Sequence, residues 1–288
     1  MATPRLVAVL SRNGVPMPPP PTTADRPTGA AAWLSCAVPR PAARLRLVCL
    51  PYAGAGAGAY RPWSALLGDE VEVWTAQLPG RERRLAEPPL TTMDGLAPPL
   101  VEAIAERVPA PYALFGHSMG GLIGYEVARR LVARGGPAPQ RLVVSAARPP
   151  HRTASVGAAH ALDDGTLTAW LRDLGGIPDE LLADPALLGL ILPTVRADLS
   201  VVASYRPGTP EPLPLPVDAV AAADDPLVDP DEVAGWAACT GVSFSLTVVP
   251  GGHLYLHDSP PPLTRLLTGG PATRPGTAAR AYAEGATP

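Results

Sequence analysis

The residue best placed to act as a nucleophile in this sequence is Ser118. It lies in Gly116-His117-Ser118-Met119-Gly120, a G-x-S-x-G pattern. The apolar run 112–115 before it predicts a short buried strand, and apolar residues between 122 and 131 recur at the spacing of a helix. A serine between a strand and a helix, flanked by glycines that leave room for a sharp turn, is typical of a nucleophile elbow. The pattern therefore predicts covalent chemistry through Ser118.

A serine hydroxyl is a weak nucleophile at neutral pH, so a base and an acid must assist it. An imidazole would take the proton during attack, and a carboxylate would hold that imidazole in the right tautomer. His253 follows a predicted strand through a Gly-Gly turn and is the favoured base, with His257 as the alternative. Asp225 directly precedes Pro226 and is the favoured acid. Its neighbour Asp224 stays a candidate, because adjacent residues at a strand end point in opposite directions.

Two backbone N–H groups are expected to stabilise the negative charge that develops on the attacked oxygen. One belongs to Met119, which follows the nucleophile. The other belongs to Ala53, in the Gly/Ala-rich loop 51–58 after the predicted strand 47–50. The loop after an early strand supplies such a donor in sheets of this kind. A flexible connection is the alternative role of this loop.

The segments that would position these residues alternate between strands and helices. Strands are predicted near 47–50, 71–74, 112–115, 142–144, 216–223 and 243–249. This alternation predicts an α/β fold with a mostly parallel central sheet and helices on both faces. Residues 151–206 show helical patterns without strands, which predicts an inserted helical lid. Serine, acid and histidine follow one another in the chain order of α/β-hydrolases, so we expect the α/β-hydrolase fold.

Both ends of the chain differ in composition from its middle. Residues 1–32 are rich in proline and poor in large apolar groups, so we expect a disordered extension there. One folded domain is expected over 33–268, with the lid at about 151–206. The Gly/Pro/Ala-rich tail 269–288 is expected to be disordered as well.

The composition argues against several classes of function. The net charge is −3 and the charges form no block, which argues against a nucleic-acid partner. Three cysteines, Cys36, Cys49 and Cys239, lack metal-ligand spacing, so we expect neither a disulfide framework nor a metal site. No signal peptide or membrane-spanning stretch is recognised, so we expect no membrane contact and a cytoplasmic location. We also expect a monomer.

With these residues in place, the chain resembles the type II (editing, stand-alone) thioesterases that accompany polyketide synthases and nonribosomal peptide synthetases. The matching segments are Leu50–Gly54, Arg61–Trp63, Gln77–Glu82, Gly116–Gly120, Leu171–Gly176, Leu192-Pro193, Arg196–Asp198, Asp225–Val228 and Pro250–His253. They occur in the expected order and lie within residues 33–268.

The resemblance implies the helical lid and Asp225 as the acid. It further implies that the substrate is an acyl thioester on the phosphopantetheine arm of an acyl carrier protein or peptidyl carrier protein, and that no cofactor is needed. Carrier proteins are typically acidic, so Arg81, Arg83 and Arg84 could face such a partner, although a charged run of this kind is usually a solvated surface.

Three other functions fit the same residues. An esterase or peptidase would act on free small molecules. A product-releasing or cyclising enzyme would transfer the acyl group to an alcohol or amine. A carrier-protein binder without catalysis is the third, and the presence of Ser118, Asp225 and His253 argues against it.

Overall fold

Seven short segments of the chain form a single sheet. The strands are β1 (Leu34–Ser35), β2 (Leu45–Leu50), β3 (Val71–Ala76), β4 (Tyr112–His117), β5 (Leu142–Ser145), β6 (Val217–Ala222) and β7 (Phe244–Val249). Their order across the sheet is β1-β3-β2-β4-β5-β6-β7. All neighbours run parallel except β1, which pairs antiparallel to β3. The predicted α/β-hydrolase architecture is confirmed, and β1, too short for an apolar pattern to reveal, was not predicted.

The helices and turns between the strands cover both faces of the sheet. The α-helices are α1 (Ala30–Trp33), α2 (Trp63–Leu66), α3 (Met93–Arg107), α4 (Met119–Arg134), α5 (Asp164–Asp173), α6 (Pro185–Ser204) and α7 (Pro230–Val233). Short 3₁₀ helices lie at Ala57–Tyr60, Glu82–Arg84, Pro150–Ser155, Ala159–Ala161, Ala234–Cys239 and Tyr255–His257.

Two buried clusters show how the central strand divides the core. Because side chains alternate along a strand, Tyr112 and Leu114 of β4 pack with α3 and α4 on one face. Ala113 and Phe115 pack on the other face with a cluster that includes Trp63 of α2. Every side chain of β4 is buried. The strand that leads to Ser118 is therefore held on both faces, and its end is a rigid support.

The described part of the predicted lid contains helices and turns and no strand. Asp184 caps α6 by accepting hydrogen bonds from two N–H groups of its first turn, and Pro185 follows as its first residue. A third cluster, which includes Leu167 of α5 and Val195 of α6, holds the two helices together. Among the described helices α6 alone is long and apolar enough to cross a membrane. Here it packs over the sheet's carboxyl edge.

The computed structural model describes residues 28–155, 159–176 and 183–257, and the side chains of 153–155 are not included. Most of the expected N-terminal extension, the end of the expected domain over 258–268 and the tail 269–288 lie outside the described residues. Of the expected extension, residues 28–32 are described, and Ala30–Trp33 forms α1.

Candidate active site

Ser118 lies at the turn between β4 and α4 in a backbone conformation that few non-glycine residues adopt. Its φ is 52° and its ψ is −118°, and a side chain at such a φ is strained. A Cβ on Gly116 would lie 2.0 Å from the carbonyl oxygen of Gly120, and one on Gly120 would lie 2.1 Å from that of Leu50. The Ser118 N–H donates to the carbonyl oxygen of Ser145 at 2.8 Å. The turn has the geometry of the predicted elbow.

His253 and Asp225 approach Ser118 from the loops that follow β7 and β6. Nε2 of His253 lies 3.0 Å from Oγ of Ser118, and Nδ1 lies 2.8 Å from Oδ2 of Asp225. The Asp225 side chain is fully buried and that of His253 nearly so. This arrangement would let the imidazole accept the serine proton at Nε2 while the carboxylate keeps Nδ1 protonated.

The two adjacent aspartates have different surroundings. Oδ1 of Asp225 accepts hydrogen bonds from the N–H groups of Leu227 at 2.8 Å and Val228 at 3.1 Å. Its Oδ2 is left to face His253. Asp224 is exposed. The structure therefore brings Asp225, the favoured candidate, to the imidazole and leaves Asp224 at the surface.

His257, the alternative base, hydrogen-bonds to a tyrosine beside the site. Its Nε2 lies 2.7 Å from the hydroxyl of Tyr52. Tyr52 directly precedes Ala53, and burial raises the pKa of the Tyr52 hydroxyl to about 12. This contact joins the loop after β7 to the loop after β2, and His253 is the histidine at Ser118.

Both candidate oxyanion donors line the same cavity as Ser118. Met119 is the first residue of α4, so its N–H lacks an acceptor within the helix, and the helix dipole favours negative charge there. The carbonyl of Tyr52 accepts the N–H of Ala55 at 3.0 Å. Since a trans peptide points its C=O and N–H in opposite directions, that bond directs the Ala53 N–H out of the turn.

A buried chain of hydrogen bonds beneath the site was not predicted. Nδ1 of His117 lies 2.8 Å from Oγ of Ser145, which lies 2.6 Å from the hydroxyl of Tyr255. Burial, and to a lesser extent His253 and His257, hold the pKa of His117 well below its usual value of 6.5. His117 is therefore neutral at physiological pH. The three residues come from separate segments, so no local pattern could have indicated their contact.

A cavity of about 410 Å³ opens beside Ser118, within the size range of small-molecule sites. Its walls are mostly apolar and come from the lid and the core: Trp170, Leu171, Leu174, Ile191, Val195, Leu199 and Val202 from the lid, and Leu122, Leu227 and Leu254 from the core. An apolar chamber next to a nucleophile suits an acyl chain.

Arg81 does not lie on a solvated surface, so its suggested role in partner contact is wrong. Only 6% of the residue is exposed. Its guanidinium forms a bidentate ion pair with Asp198 of α6, with N···O distances of 2.6 and 2.7 Å. The sequence could not reveal this pair, because its members are 117 positions apart.

The other two arginines of that run differ from each other. Arg84 is held by Glu87 at 2.6 Å, and its guanidinium lies 4.3 Å from the ring centre of Trp33. Arg83 is exposed. Of the three arginines, Arg83 is the one that is exposed and could contact a partner protein.

Metal ligation is not indicated by the described part of the chain. No group of three or more His, Cys, Asp or Glu side chains within residues 28–155, 159–176 and 183–257 could hold a metal ion.

A family comparison and a comparison with individual proteins indicate the same family. The family described as Thioesterase domain matches residues 45–268. The gramicidin S biosynthesis protein GrsT of Aneurinibacillus migulanus is 37% identical over 227 residues, which are 79% of this chain and 89% of that protein.

Two solved structures are similar over most of the chain. The RedJ thioesterase from the prodiginine biosynthetic pathway of Streptomyces coelicolor is 44% identical, with a TM-score of 0.73 over 80% of this chain and 93% of that one. The type II thioesterase BorB from the borrelidin biosynthetic cluster is 36% identical, with a TM-score of 0.76 over 84% and 98%. The resemblance predicted from the sequence is thereby confirmed: the chain belongs to the thioesterase family and is a serine hydrolase of the type II thioesterase class.

Proposed function

We propose that this protein hydrolyses acyl thioesters on the phosphopantetheine arm of acyl or peptidyl carrier proteins. It would thereby remove stalled or incorrect acyl groups during polyketide or nonribosomal peptide synthesis, including antibiotic synthesis. The observation that carries the proposal is Oγ of Ser118 lying 3.0 Å from Nε2 of His253, at the wall of an apolar cavity beneath the lid. GrsT, a gramicidin S biosynthesis protein, and RedJ, a thioesterase of the prodiginine pathway, support the same setting.

In the acylation step, Oγ of Ser118 attacks the thioester carbonyl carbon and its proton passes to Nε2 of His253. Asp225 stabilises the imidazolium that forms. The N–H groups of Ala53 and Met119 donate to the oxyanion of the tetrahedral intermediate. The C–S bond then breaks, the proton moves from His253 to the leaving sulfur, and an acyl ester on Ser118 remains.

In the deacylation step, water takes the place of the pantetheine thiol. His253 removes a proton from the water as its oxygen attacks the ester carbonyl, and the same two N–H groups hold the oxyanion. The proton then returns through His253 to Oγ of Ser118, so the products are the free acid and the regenerated enzyme. Neither step would require a cofactor.

The apolar cavity would hold the acyl chain. Most of its lining side chains are apolar and offer van der Waals contact and burial, so recognition of the chain would depend mainly on length and shape. Arg83 would lie at the surface that meets an acidic carrier protein. We propose that the protein acts as a monomer in the cytoplasm, where the free cysteines Cys36, Cys49 and Cys239 would stay reduced.

The test is intact-protein mass spectrometry of a panel of acyl carrier proteins incubated with the wild type and with Ser118→Ala. We expect loss of the acyl mass from the carrier with the wild type only, and free acid as the product. Faster turnover of p-nitrophenyl esters than of acyl carriers would contradict the proposal and favour an esterase. An acyl amide or ester product would instead favour transfer to an amine or alcohol.

A further inference from the structure

The lid helix α6 carries a buried carboxylate that reaches the loop of the candidate oxyanion donor. Oδ2 of Asp198 accepts a hydrogen bond from the N–H of Gly54 at 2.8 Å. Gly54 is the residue directly after Ala53. Asp198 is only 1% exposed, so this bond is shielded from water and strengthened by its surroundings.

Arg81 completes the arrangement from the other side. Its Nη1 and Nη2 donate to both oxygens of Asp198, and Nη1 also donates to the carbonyl oxygen of Ala55 at 3.0 Å. The carboxylate and the guanidinium thus hold two consecutive residues of one turn, one through its N–H and the other through its C=O. Because the Asp198 carboxylate is paired with Arg81, its burial leaves no isolated charge.

The turn itself has a shape that presents a backbone N–H to the lid. The Tyr52 carbonyl bonds to the Ala55 N–H at 3.0 Å, and Gly54, third of the four residues, has a φ of 82°. These are the marks of a type II turn, in which the middle peptide is flipped relative to type I. The flipped middle peptide, between Ala53 and Gly54, presents its N–H to Asp198.

The lid packs tightly on this turn. A Cβ on Gly54 would lie 2.9 Å from Cγ2 of Val195, which is one turn before Asp198 on α6. The hydroxyl of Thr194 also donates to the carbonyl oxygen of Gly80 at 2.8 Å. The middle of the lid helix is therefore attached to both loops at this edge of the sheet.

We infer that Asp198 and Arg81 are positioning residues that hold the Tyr52–Ala55 turn so that the Ala53 N–H points at the oxyanion. Through them the lid helix sets the geometry of the oxyanion site. This inference rests on the oxyanion role proposed for Ala53. Neither residue lines the cavity beside Ser118.

A second ion pair on the same helix provides a matched control. Nη2 of Arg196 lies 2.6 Å from Oδ1 of Asp164 and joins α6 to α5. The Asp164 side chain is 75% exposed, and it lies outside the cavity lining. A neutralising change there alters the attachment of the lid without touching the oxyanion turn.

The experiment compares Asp198→Asn and Asp164→Asn with the wild type on a small acyl N-acetylcysteamine thioester. For Asp198→Asn we expect kcat to fall about 10- to 100-fold with KM changed by no more than about twofold, because oxyanion stabilisation acts mainly in the transition state. An acyl trifluoromethyl ketone, which forms an oxyanion on the serine, should bind more weakly by the same factor. A thioether analogue, which forms none, should bind as tightly as before.

For Asp164→Asn we expect kcat and KM within about twofold of the wild type. An equal fall in kcat for both variants, an unchanged kcat in Asp198→Asn, or equal weakening of the ketone and the thioether would overturn the inference.

A double variant, Arg81→Met with Asp198→Leu, removes both charges and so leaves no buried charge unpaired. It takes the place of Asp198→Asn if that variant does not fold, and its melting temperature shows whether it is folded. A folded double variant with wild-type kcat would refute the inference. All comparisons use a small thioester, so they do not depend on a carrier protein. A wild type that fails on acyl carriers but cleaves the small thioester would count against the proposed substrate only.

Discussion

Nδ1 of His253 lies 2.8 Å from Oδ2 of Asp225, while Oδ1 of the same carboxylate is engaged by two backbone N–H groups. The two amides, of Leu227 and Val228, fix the orientation of the carboxylate. Because an ionised carboxylate only accepts hydrogen bonds, Oδ2 requires a donor from the imidazole. His253 is therefore held with its proton on Nδ1 and its lone pair on Nε2, toward Ser118.

Replacing Asp225 with asparagine should reverse that tautomer. The amide oxygen would stay with the N–H groups of Leu227 and Val228, so the NH₂ group would face Nδ1 and force the imidazole proton onto Nε2. We expect kcat for thioester hydrolysis to fall by about 10⁴-fold. The adjacent Asp224→Asn is the control, and because Asp224 is exposed we expect activity within about twofold of the wild type. Comparable losses in both variants would contradict this account of the acid.

His117 should make stability depend on pH. Burial lowers its pKa in the folded state well below 6.5, whereas the unfolded chain has the usual value. As the pH falls through about 6.5, the unfolded state binds a proton that the folded state does not. His117 therefore supports stability above that pH, and the contribution is lost on acidification, by up to about 1.4 kcal/mol per pH unit.

Urea unfolding of the wild type and of His117→Gln, between about pH 7 and about pH 5, measures this effect. His117→Gln should be less stable at neutral pH but should lose less stability on acidification. The difference between the two proteins should correspond to the uptake of about one proton on unfolding. Parallel pH dependences for the two proteins would show that His117 is not held neutral.

The elbow should not tolerate a side chain at Gly120. A Cβ there would lie 2.1 Å from the carbonyl oxygen of Leu50, and that backbone belongs to a buried strand. We expect Gly120→Ala to lower the free energy of unfolding by about 3 kcal/mol or more. Gly189→Ala, in the exposed part of α6, where the new Cβ would meet no described atom within 4 Å beyond the surrounding helix backbone, should instead add about 0.5–1 kcal/mol. Chemical denaturation measures both.

The cavity should select acyl chains by length. Ile191 lines it, whereas the neighbouring Leu190 points outward with 47% of its surface exposed. Ile191→Trp would fill part of the chamber, so we expect kcat/KM for an octanoyl thioester to fall about tenfold or more relative to an acetyl thioester. Leu190→Trp adds the same side chain outside the cavity and should leave that ratio within about twofold. An unchanged ratio in Ile191→Trp would place the acyl chain elsewhere.

Charge reversal at Arg83 tests the partner surface. If Arg83 meets an acidic carrier protein, Arg83→Glu should raise KM for an acyl carrier protein about fivefold or more and leave hydrolysis of a small thioester unchanged. Arg44→Glu makes the same charge change at a residue whose side chain is 85% exposed, just before β2 and so at the opposite edge of the sheet. Equal effects of the two variants on the carrier substrate would argue against a specific role of Arg83.

The sequence by itself determined the features that depend on neighbours along the chain. The elbow at Ser118 follows from a short apolar run, two glycines and a helical repeat within about twenty residues, and each imposes its local structure. The cap at Asp184-Pro185 was predictable for the same reason. The order of serine, acid and histidine indicated the fold, because strand ends of a parallel sheet bring distant loops to one edge.

Only the tertiary structure decided which of the candidate side chains meet. Asp225 lies beside His253 and Asp224 does not, because the amides of Leu227 and Val228 turn one carboxylate inward. From the sequence, Arg81 is expected to be a surface charge. In the structure it pairs with Asp198 of the lid helix, which is 117 positions away in the chain. A charge or polar group that is removed from water must find its partner within the fold. No local sequence pattern identifies that partner.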